Sequence, residues 1–204
     1  ADGYEMENQN IYIGEDLKSN YVMLMNDPSG EYYKLYEIDY DRHVYDGYNW
    51  TYVNLPIEDI KQMAIASIKD STMMYFSCDV GKFFDRERGI LDVNYLDYGS
   101  LMGTTFGMDK KQRIQTFASG SSHAMTLMAV DLDKTTGKPK KWMVENSWGP
   151  GANAGHLIMT DEWFNEYMFR LVVNKKYITD KVKAILQQKP VRLPAWDPMF
   201  ADED

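Results

Sequence analysis

The sequence has very little cysteine and histidine. Its 204 residues include one cysteine, Cys78, and three histidines. A single thiol excludes a disulfide within the chain and a zinc site built from several cysteines. It leaves the cellular compartment open, because one cysteine is compatible with a reducing or an oxidising environment.

Basic residues are also in deficit. The chain carries 22 lysines and arginines against 31 aspartates and glutamates, a formal net charge of −9. Nucleic-acid binding needs clustered positive charge, so nucleic acid is not an expected partner of this chain. No apolar run approaches the ~20 residues of a membrane-spanning helix, so a membrane is not an expected partner either.

The composition is otherwise that of a folded protein. Hydrophobic residues make up 44% and charged residues 26% of the chain, close to the averages of globular domains, which excludes a disordered or collagen-like chain. The length suggests one domain or two small ones. Aromatic residues make up 14% of the chain. The simplest interpretation is that they contribute to core packing and to interface area.

Turn signals and apolar periodicity predict an α+β fold whose second half is a mostly antiparallel sheet. Residues 1–50 are polar and tyrosine-rich, which predicts an irregular wrapping segment with short strands, the best of them at 34–40. Residues 51–190 are predicted to form the main domain. Residues 191–204 contain Pro194 and Pro198 and are predicted to form an extended C-terminal arm anchored by Trp196.

Within residues 51–190 the apolar pattern predicts helices and strands in alternation. After Pro56, which suits a first helical position, apolar residues recur on one helical face. These residues are Ile57, Ile60, Ala64 and Ile68. Continuous apolar runs predict buried strands at 73–78 and 124–130, and an alternating run predicts a half-buried strand at 141–146. The remaining predictions are a loop-like stretch at 85–107, helices at 109–117, 160–167 and 179–188, and strands at 156–159 and 168–173.

One histidine is distinguished by its position. His43 lies in a polar stretch and is interpreted as a surface residue. His156 heads a strand after a glycine-rich loop and is interpreted as a residue held by packing or by a loop hydrogen bond. His123 follows a serine-rich segment, residues 119–122, and leads directly into a buried strand. A histidine at the mouth of such a strand is held rigidly and can face a cleft.

A hairpin would bring His123 opposite Asn146. If the turn is centred between Lys134 and Thr135, these two residues are directly opposed, with Cβ atoms roughly 4.5–5.5 Å apart. That separation allows an amide to hydrogen-bond an imidazole. The simpler interpretation is a satisfied histidine at a strand end.

The surrounding residues favour a chemical role for the pair. Asn146 opens Asn146-Ser147-Trp148-Gly149, and the indole of Trp148 is placed to cover the hydrogen bond from water. A dry bond would fix the tautomer and orientation of the imidazole, as a carboxylate does in serine triads. A histidine so oriented is suited to deprotonate a nucleophile, and a thiol suits it best.

Four stretches of the sequence are typical of one protein family. They are residues 78–82 (CDVGK), 142–149 (WMVENSWG), 159–164 (MTDEWF) and 193–199 (LPAWDPM). By these stretches the sequence resembles the papain-like cysteine peptidases, and more narrowly the bleomycin hydrolase and aminopeptidase C branch. The resemblance covers nearly the whole chain from about Asn26, and the four stretches occur in the family's order.

The resemblance implies roles for individual residues. His123 would be the general base, Asn146 its orienting partner and Trp148 a shelter for the pair. The family's nucleophile segment, a Gln some residues before a Cys-Trp at a helix start, is absent from this chain, and Cys78 falls in a scaffold segment of the family. The chain thus resembles the C-terminal half of a cysteine aminopeptidase, with residues 51–190 as its base-bearing β domain. No metal or organic cofactor is implied.

The resemblance also implies partners. They are peptide substrates, the missing N-terminal half with its Cys and Gln, and further copies of the protein in a cytoplasmic homo-oligomer. In the family the C-terminal arm lies in the active-site cleft and a carboxylate there meets the free amino group of the substrate. That group would be Asp202, Asp204 or the terminal carboxylate, with Asp204 the candidate for substrate gating. A solvated acidic tail is the alternative for the arm, and a non-catalytic, peptidase-derived binding or regulatory module is the alternative for the protein.

Overall fold

A computed structural model describes residues 19–42 and 44–200. Its strands, numbered along the chain, are β1 (Tyr21–Met25), β2 (Lys34–Ile38), β3 (Thr51–Asn54), β4 (Met74–Cys78), β5 (Phe84–Asp85), β6 (Ile90–Leu91), β7 (His123–Leu132), β8 (Pro139–Glu145), β9 (His156–Thr160), β10 (Met168–Asn174) and β11 (Val191–Leu193). Its α-helices are α1 (Ile57–Lys69), α2 (Tyr98–Met102), α3 (Lys110–Gln115), α4 (Asp161–Tyr167) and α5 (Asp180–Ile185). Two short 3₁₀ segments lie at Ala152–Gly155 and Lys175–Tyr177.

All the strands join one sheet, in the order β11-β2-β3-β1-β10-β4-β7-β8-β9-β6-β5. Three neighbouring pairs are parallel, namely β1–β3, β2–β11 and β6–β9. The other neighbours are antiparallel, so the predicted α+β fold with a mostly antiparallel sheet is confirmed. Within the described ranges, no helix combines the length and the apolar composition needed to cross a membrane.

The longest helix packs on the sheet through the face that the sequence predicts. Helix α1 starts after Pro56, and Glu58 and Asp59 lie in its first turn, where negative charge is favourable to the helix dipole. Ile60 and Ala64 are fully buried in the main apolar core. This core also contains residues from the strands at the centre of the sheet, so α1 covers that part of the sheet.

The N-terminal part of the described chain differs from the prediction of an irregular wrapping segment. Strand β1 lies inside the sheet, between β3 and β10. Strand β2 pairs with β3 across residue 50, so no structural boundary separates residues 19–50 from the main domain. The stretch at 85–107 also contains more structure than a loop, because it includes β6 and α2.

The C-terminal segment is extended only at its beginning. Strand β11 adds to β2 in parallel, but beyond it the chain makes turns closed by the N–H groups of Asp197 and Phe200, which donate to Pro194 O and Asp197 O. Trp196 is 77% exposed, so the predicted anchor is wrong. Met199 is buried instead. The proline positions limit helix formation but do not exclude turns, which is why the chain reverses here.

Helix α3 fixes the segment that leads into β7. Asp109 and Gln112 form a capping box at its start. The buried Lys110 Nζ donates hydrogen bonds to Asn26 Oδ1 and to the carbonyl oxygens of Asn165 and Met168. Burial lowers the pKa of Lys110 to about 7, and the three oxygen acceptors stabilise its ammonium form. The helix is thus tied to the ends of β1 and β10.

Candidate functional site

His123 begins β7, and the predicted hairpin register is wrong by two residues near this end. Glu145 lies opposite Thr126 and Val144 opposite Leu127, so these two residues of β8 each face a position two residues farther along β7 than predicted. The cause is the turn, which is closed by a hydrogen bond from Asp133 N to Lys138 O and is therefore centred later. Side chains alternate along a strand, so a shift of two keeps them on the same face.

The side chains of His123 and Asn146 therefore meet despite the shifted register. His123 Nε2 lies 2.9 Å from Asn146 Oδ1. An amide oxygen only accepts hydrogen bonds, so Nε2 carries the imidazole proton and donates the hydrogen bond. In the neutral imidazole this leaves Nδ1 with a free lone pair, which is the arrangement that a general base requires.

Asn146 is held by its backbone as well as its side chain. It directly follows β8, its N–H donates to Gly155 O at 2.8 Å, and the residue is 9% exposed. Its Nδ2 atom is buried and has no hydrogen-bond partner within the described part of the chain. The buried amide fixes the position of Oδ1, and through it the orientation of the imidazole.

Trp148 packs against the imidazole. The ring centroids of Trp148 and His123 are 4.9 Å apart, and the ring planes are inclined by 34°. The indole is still 52% exposed, and its centroid is 6.0 Å from that of Phe84. The indole thus covers part of the imidazole and also offers an open aromatic surface beside it.

A buried network of hydroxyl groups holds the segment before His123, residues 119–122. Ser119 Oγ donates to Asp79 Oδ2 at 2.7 Å, and both residues are buried. Ser121 Oγ hydrogen-bonds Ser77 Oγ, and Ser122 N donates to the carbonyl oxygen of Cys78. Together these bonds tie the segment to the end of β4. Sequence reasoning missed this network, although the run of serines before His123 was a signal for it.

Cys78 is opposite His123 in the sheet but is not placed as a nucleophile. The two residues are paired across β4 and β7, and Cys78 is fully buried in the apolar core. Burial raises the pKa of its thiol well above the usual range, and the nearby negative charge of Asp79 raises it further. The thiol therefore stays protonated, and a protonated thiol is a poor nucleophile.

A cavity of about 440 Å³ is lined on one side by residues 119–122. Its lining includes Ser119, Ser122, Arg170 and Phe200. The guanidinium carbon of Arg170 lies 4.7 Å from the Phe200 ring centroid, and Arg170 Nη2 donates to Met199 O at 3.1 Å. The C-terminal segment is thus anchored beside the residues that precede His123.

The structure brings together some of the predicted site residues and does not describe others. His123, Asn146 and Trp148 are in contact. His156 heads β9 opposite Glu145, as the strand prediction requires. His43 and Asp204 lie outside the described residues. Phe84 and Arg170 were not predicted, because their contacts join segments that are far apart in sequence.

Comparison with known proteins identifies relatives over most of the chain. A model of the Peptidase C1-like family matches residues 5–200. Bleomycin hydrolase from Mus musculus is 43% identical over 185 residues, which are 88% of this chain and 41% of that protein. Aminopeptidase E from Lactobacillus helveticus is 40% identical over 187 residues, 91% of this chain and 42% of that protein.

A solved structure has the same fold. The crystal structure of PepW from Lactobacillus rhamnosis HN001 matches with a TM-score of 0.85 at 35% sequence identity. The match covers 90% of this chain and 42% of that one. The chain therefore spans about two fifths of the length of these relatives.

Proposed function

Because this chain belongs to the Peptidase C1-like family, we propose that it is the base-bearing half of a papain-like cysteine aminopeptidase. The observation that carries the proposal is the hydrogen bond from His123 Nε2 to Asn146 Oδ1. Peptide-bond hydrolysis would require a second half that supplies the thiol and an oxyanion-stabilising Gln. We call the assembly of both halves the complete enzyme, whether they form one polypeptide or two.

In the complete enzyme the imidazole of His123 would carry the proton through both half-reactions. Nδ1 takes the proton of the thiol, and the thiolate attacks the carbonyl carbon of the peptide bond. The imidazolium then gives that proton to the nitrogen of the leaving amine as the C–N bond breaks, which leaves an acyl-enzyme. Water, deprotonated by the same nitrogen, cleaves the thioester and regenerates the thiol.

The first test concerns the 204-residue chain by itself. We expect no measurable peptidase activity, because its base has no thiol to deprotonate and the Cys78 thiol is buried and protonated. The measurement is release of a fluorophore from an aminoacyl substrate by the purified chain. Hydrolysis that is lost in a Cys78→Ser variant would contradict the proposal, because it would identify Cys78 as the nucleophile.

The non-catalytic module is the competing function, and a complementary measurement separates it from the half-enzyme. Adding the nucleophile-bearing half should restore hydrolysis if this chain supplies the base. A stable complex of the two halves that binds peptides and never hydrolyses them would support the non-catalytic module instead.

The family resemblance also predicts a cytoplasmic homo-oligomer, and this stays a prediction.

We also propose that the C-terminal arm limits cleavage to the free amino terminus of a peptide. The support is the cavity that Phe200 shares with Ser122, the residue directly before His123. A segment anchored at Phe200 starts the remaining residues of the arm close to the candidate base. Residues 202–204 are Asp, Glu and Asp, and their charges suit a substrate ammonium group.

Deleting residues 201–204 from the complete enzyme should therefore relax this limit. We expect hydrolysis of an N-acetylated peptide to rise at least about tenfold relative to its unblocked twin, the equivalent of one lost charge pair of about 1.4 kcal/mol. A matched variant, Asp202→Asn with Glu203→Gln and Asp204→Asn, keeps the length and the terminal carboxylate and removes the three side-chain charges. Unchanged rejection of the blocked peptide by both variants would show that the arm does not set the cleavage position.

A further inference from the structure

The candidate base has a different surface on each side of its strand. Toward β4 and β10 lies the cavity that contains Arg170 and Phe200. Trp148 and Phe84 lie on the opposite side, in the direction of β8 and of the sheet edge that β5 forms. The anchored C-terminal segment occupies the first side, so the second side is the surface open to the part of a substrate that leaves after cleavage.

A guanidinium group lies on the open side. Arg86 Cζ is 6.0 Å from the ring centroid of Trp148 and 5.5 Å from that of Phe84. Trp148 packs on the imidazole with a centroid distance of 4.9 Å. The distance from the guanidinium carbon to the centroid of the imidazole is therefore at most about 11 Å. An extended glutamate side chain directly after the scissile bond, together with its hydrogen bond to a guanidinium, covers a distance of this order.

Arg86 is exposed and forms no ion pair with a carboxylate of the described residues. The preceding Asp85 is buried and engaged elsewhere, because it accepts hydrogen bonds from the N–H groups of Glu87 and Arg88 and pairs with the Arg88 side chain. The two aromatic rings hold the Arg86 guanidinium by cation–π contact. The positive charge is thus positioned beside the site without a carboxylate partner.

We propose that Arg86 is a specificity-determining residue, which selects peptides with a carboxylate in the leaving part, such as a glutamate directly after the scissile bond. The proposal rests on the proposed function, because it requires that His123 protonate the leaving amine. An Arg guanidinium binds carboxylates through paired N–H donors, which Trp148 and Phe84 leave free at the edge of the stack. The charge would stabilise substrate binding and acylation. It would leave deacylation unchanged, because the leaving part has then departed.

The test compares two peptides that differ in one charge, Ala-Glu-Ala-amide and Ala-Gln-Ala-amide, with the complete enzyme. We expect kcat/KM to be about three- to fivefold higher for the glutamate peptide, the upper range for an exposed charge pair. The preference should disappear in Arg86→Gln, persist in Arg86→Lys, and fall in 0.5 M salt as the charge is screened. The matched control is Arg88→Gln, which removes the same charge two residues away and should keep the preference.

Each outcome identifies what has failed. Equal rates for both peptides in the wild-type enzyme, or a preference that survives Arg86→Gln, would overturn the role of Arg86 and leave the proposed function intact. Absence of hydrolysis of either peptide, together with no hydrolysis of aminoacyl fluorogenic substrates, would overturn the proposed function itself. If Arg86→Gln lowers kcat/KM by the same factor for the glutamine and the glutamate peptides, the role of Arg86 is structural. That result would also overturn the proposal.

Discussion

The His123→Ala variant of the complete enzyme is expected to lose at least about 10²- to 10⁴-fold in kcat/KM, the usual contribution of a general acid–base group. The loss should reach this size because one imidazole acts in several steps. In the proposed mechanism it removes the thiol proton, stabilises the thiolate as its counter-ion and protonates the leaving amine. Alanine leaves all of these steps without a catalyst.

The Asn146→Ala variant should be impaired much less. It keeps the imidazole and removes the amide whose Oδ1 accepts the hydrogen bond from Nε2 at a distance of 2.9 Å, so the ring loses a fixed tautomer and orientation. The measurements are kcat/KM for an aminoacyl substrate and the pH dependence of thiol alkylation, which reports the thiolate in each variant. His156→Ala is the matched control, since it removes a histidine from the neighbouring strand β9. Near-normal turnover in His123→Ala, or equal losses in the His123 and His156 variants, would contradict the assignment.

The meeting of His123 and Asn146 could be predicted even though the register could not. The prediction depended on which strand face each residue occupies, and this is preserved by the shift of two residues that the structure shows. A shift of one would have placed Asn146 on the opposite face. Turn length is the source of the error, because residues 133–138 offer several positions for a turn. The two bulges of this hairpin offset each other, since the pairs Leu132–Pro139 and Thr126–Glu145 on either side of them have the same register.

Other parts of the fold could not be predicted because their partners are distant in sequence. Strand β1 is a five-residue apolar run in a polar stretch, and only its pairing with β10, about 150 residues later, identifies it as an inner strand. The anchoring of the C-terminal segment depends on Arg170, Trp50 and Phe200, whose contact no local pattern contains. The four family-like stretches remain readable because each is continuous in the chain.

One such distant contact leads to the largest expected effect on stability, an ion pair between α1 and α4. Lys61 Nζ lies 2.6 Å from Asp161 Oδ2, and the Lys61 side chain is 3% exposed. Asp161 Oδ1 in turn accepts a hydrogen bond from the indole N–H of Trp142. Trp142 is buried in β8 and stacks on Phe164 of α4. The pair thus joins two helices to the strand that ends at Asn146.

We expect Lys61→Met to lower the free energy of unfolding by about 3 kcal/mol, the lower end for breaking a buried ion pair. The methionine keeps the apolar stem of the lysine but leaves the Asp161 carboxylate without its counter-charge. The expected loss of unfolding free energy is at the lower end of the range for buried ion pairs because the Asp161 side chain is 22% exposed. Water therefore partly replaces the ammonium group. The measurement is urea unfolding of this chain, in which the midpoint should fall while the m-value stays unchanged.

Two further variants separate loss of the pair from loss of a charge in general. Lys183→Met removes a lysine whose partner, Asp180, is at a similar distance of 2.8 Å but is solvent-exposed, so this control should leave the midpoint unchanged. Adding Asp161→Asn to Lys61→Met removes the stranded carboxylate while Asn Oδ1 still accepts from Trp142, and it should recover part of the lost stability. If the double variant is no more stable than Lys61→Met, the uncompensated charge is not the cause of the loss. In that case the other contacts of the Lys61 ammonium group would account for its contribution, namely the ion pair with Glu58 at 3.2 Å and the cation–π contact with the Phe164 ring at 6.0 Å.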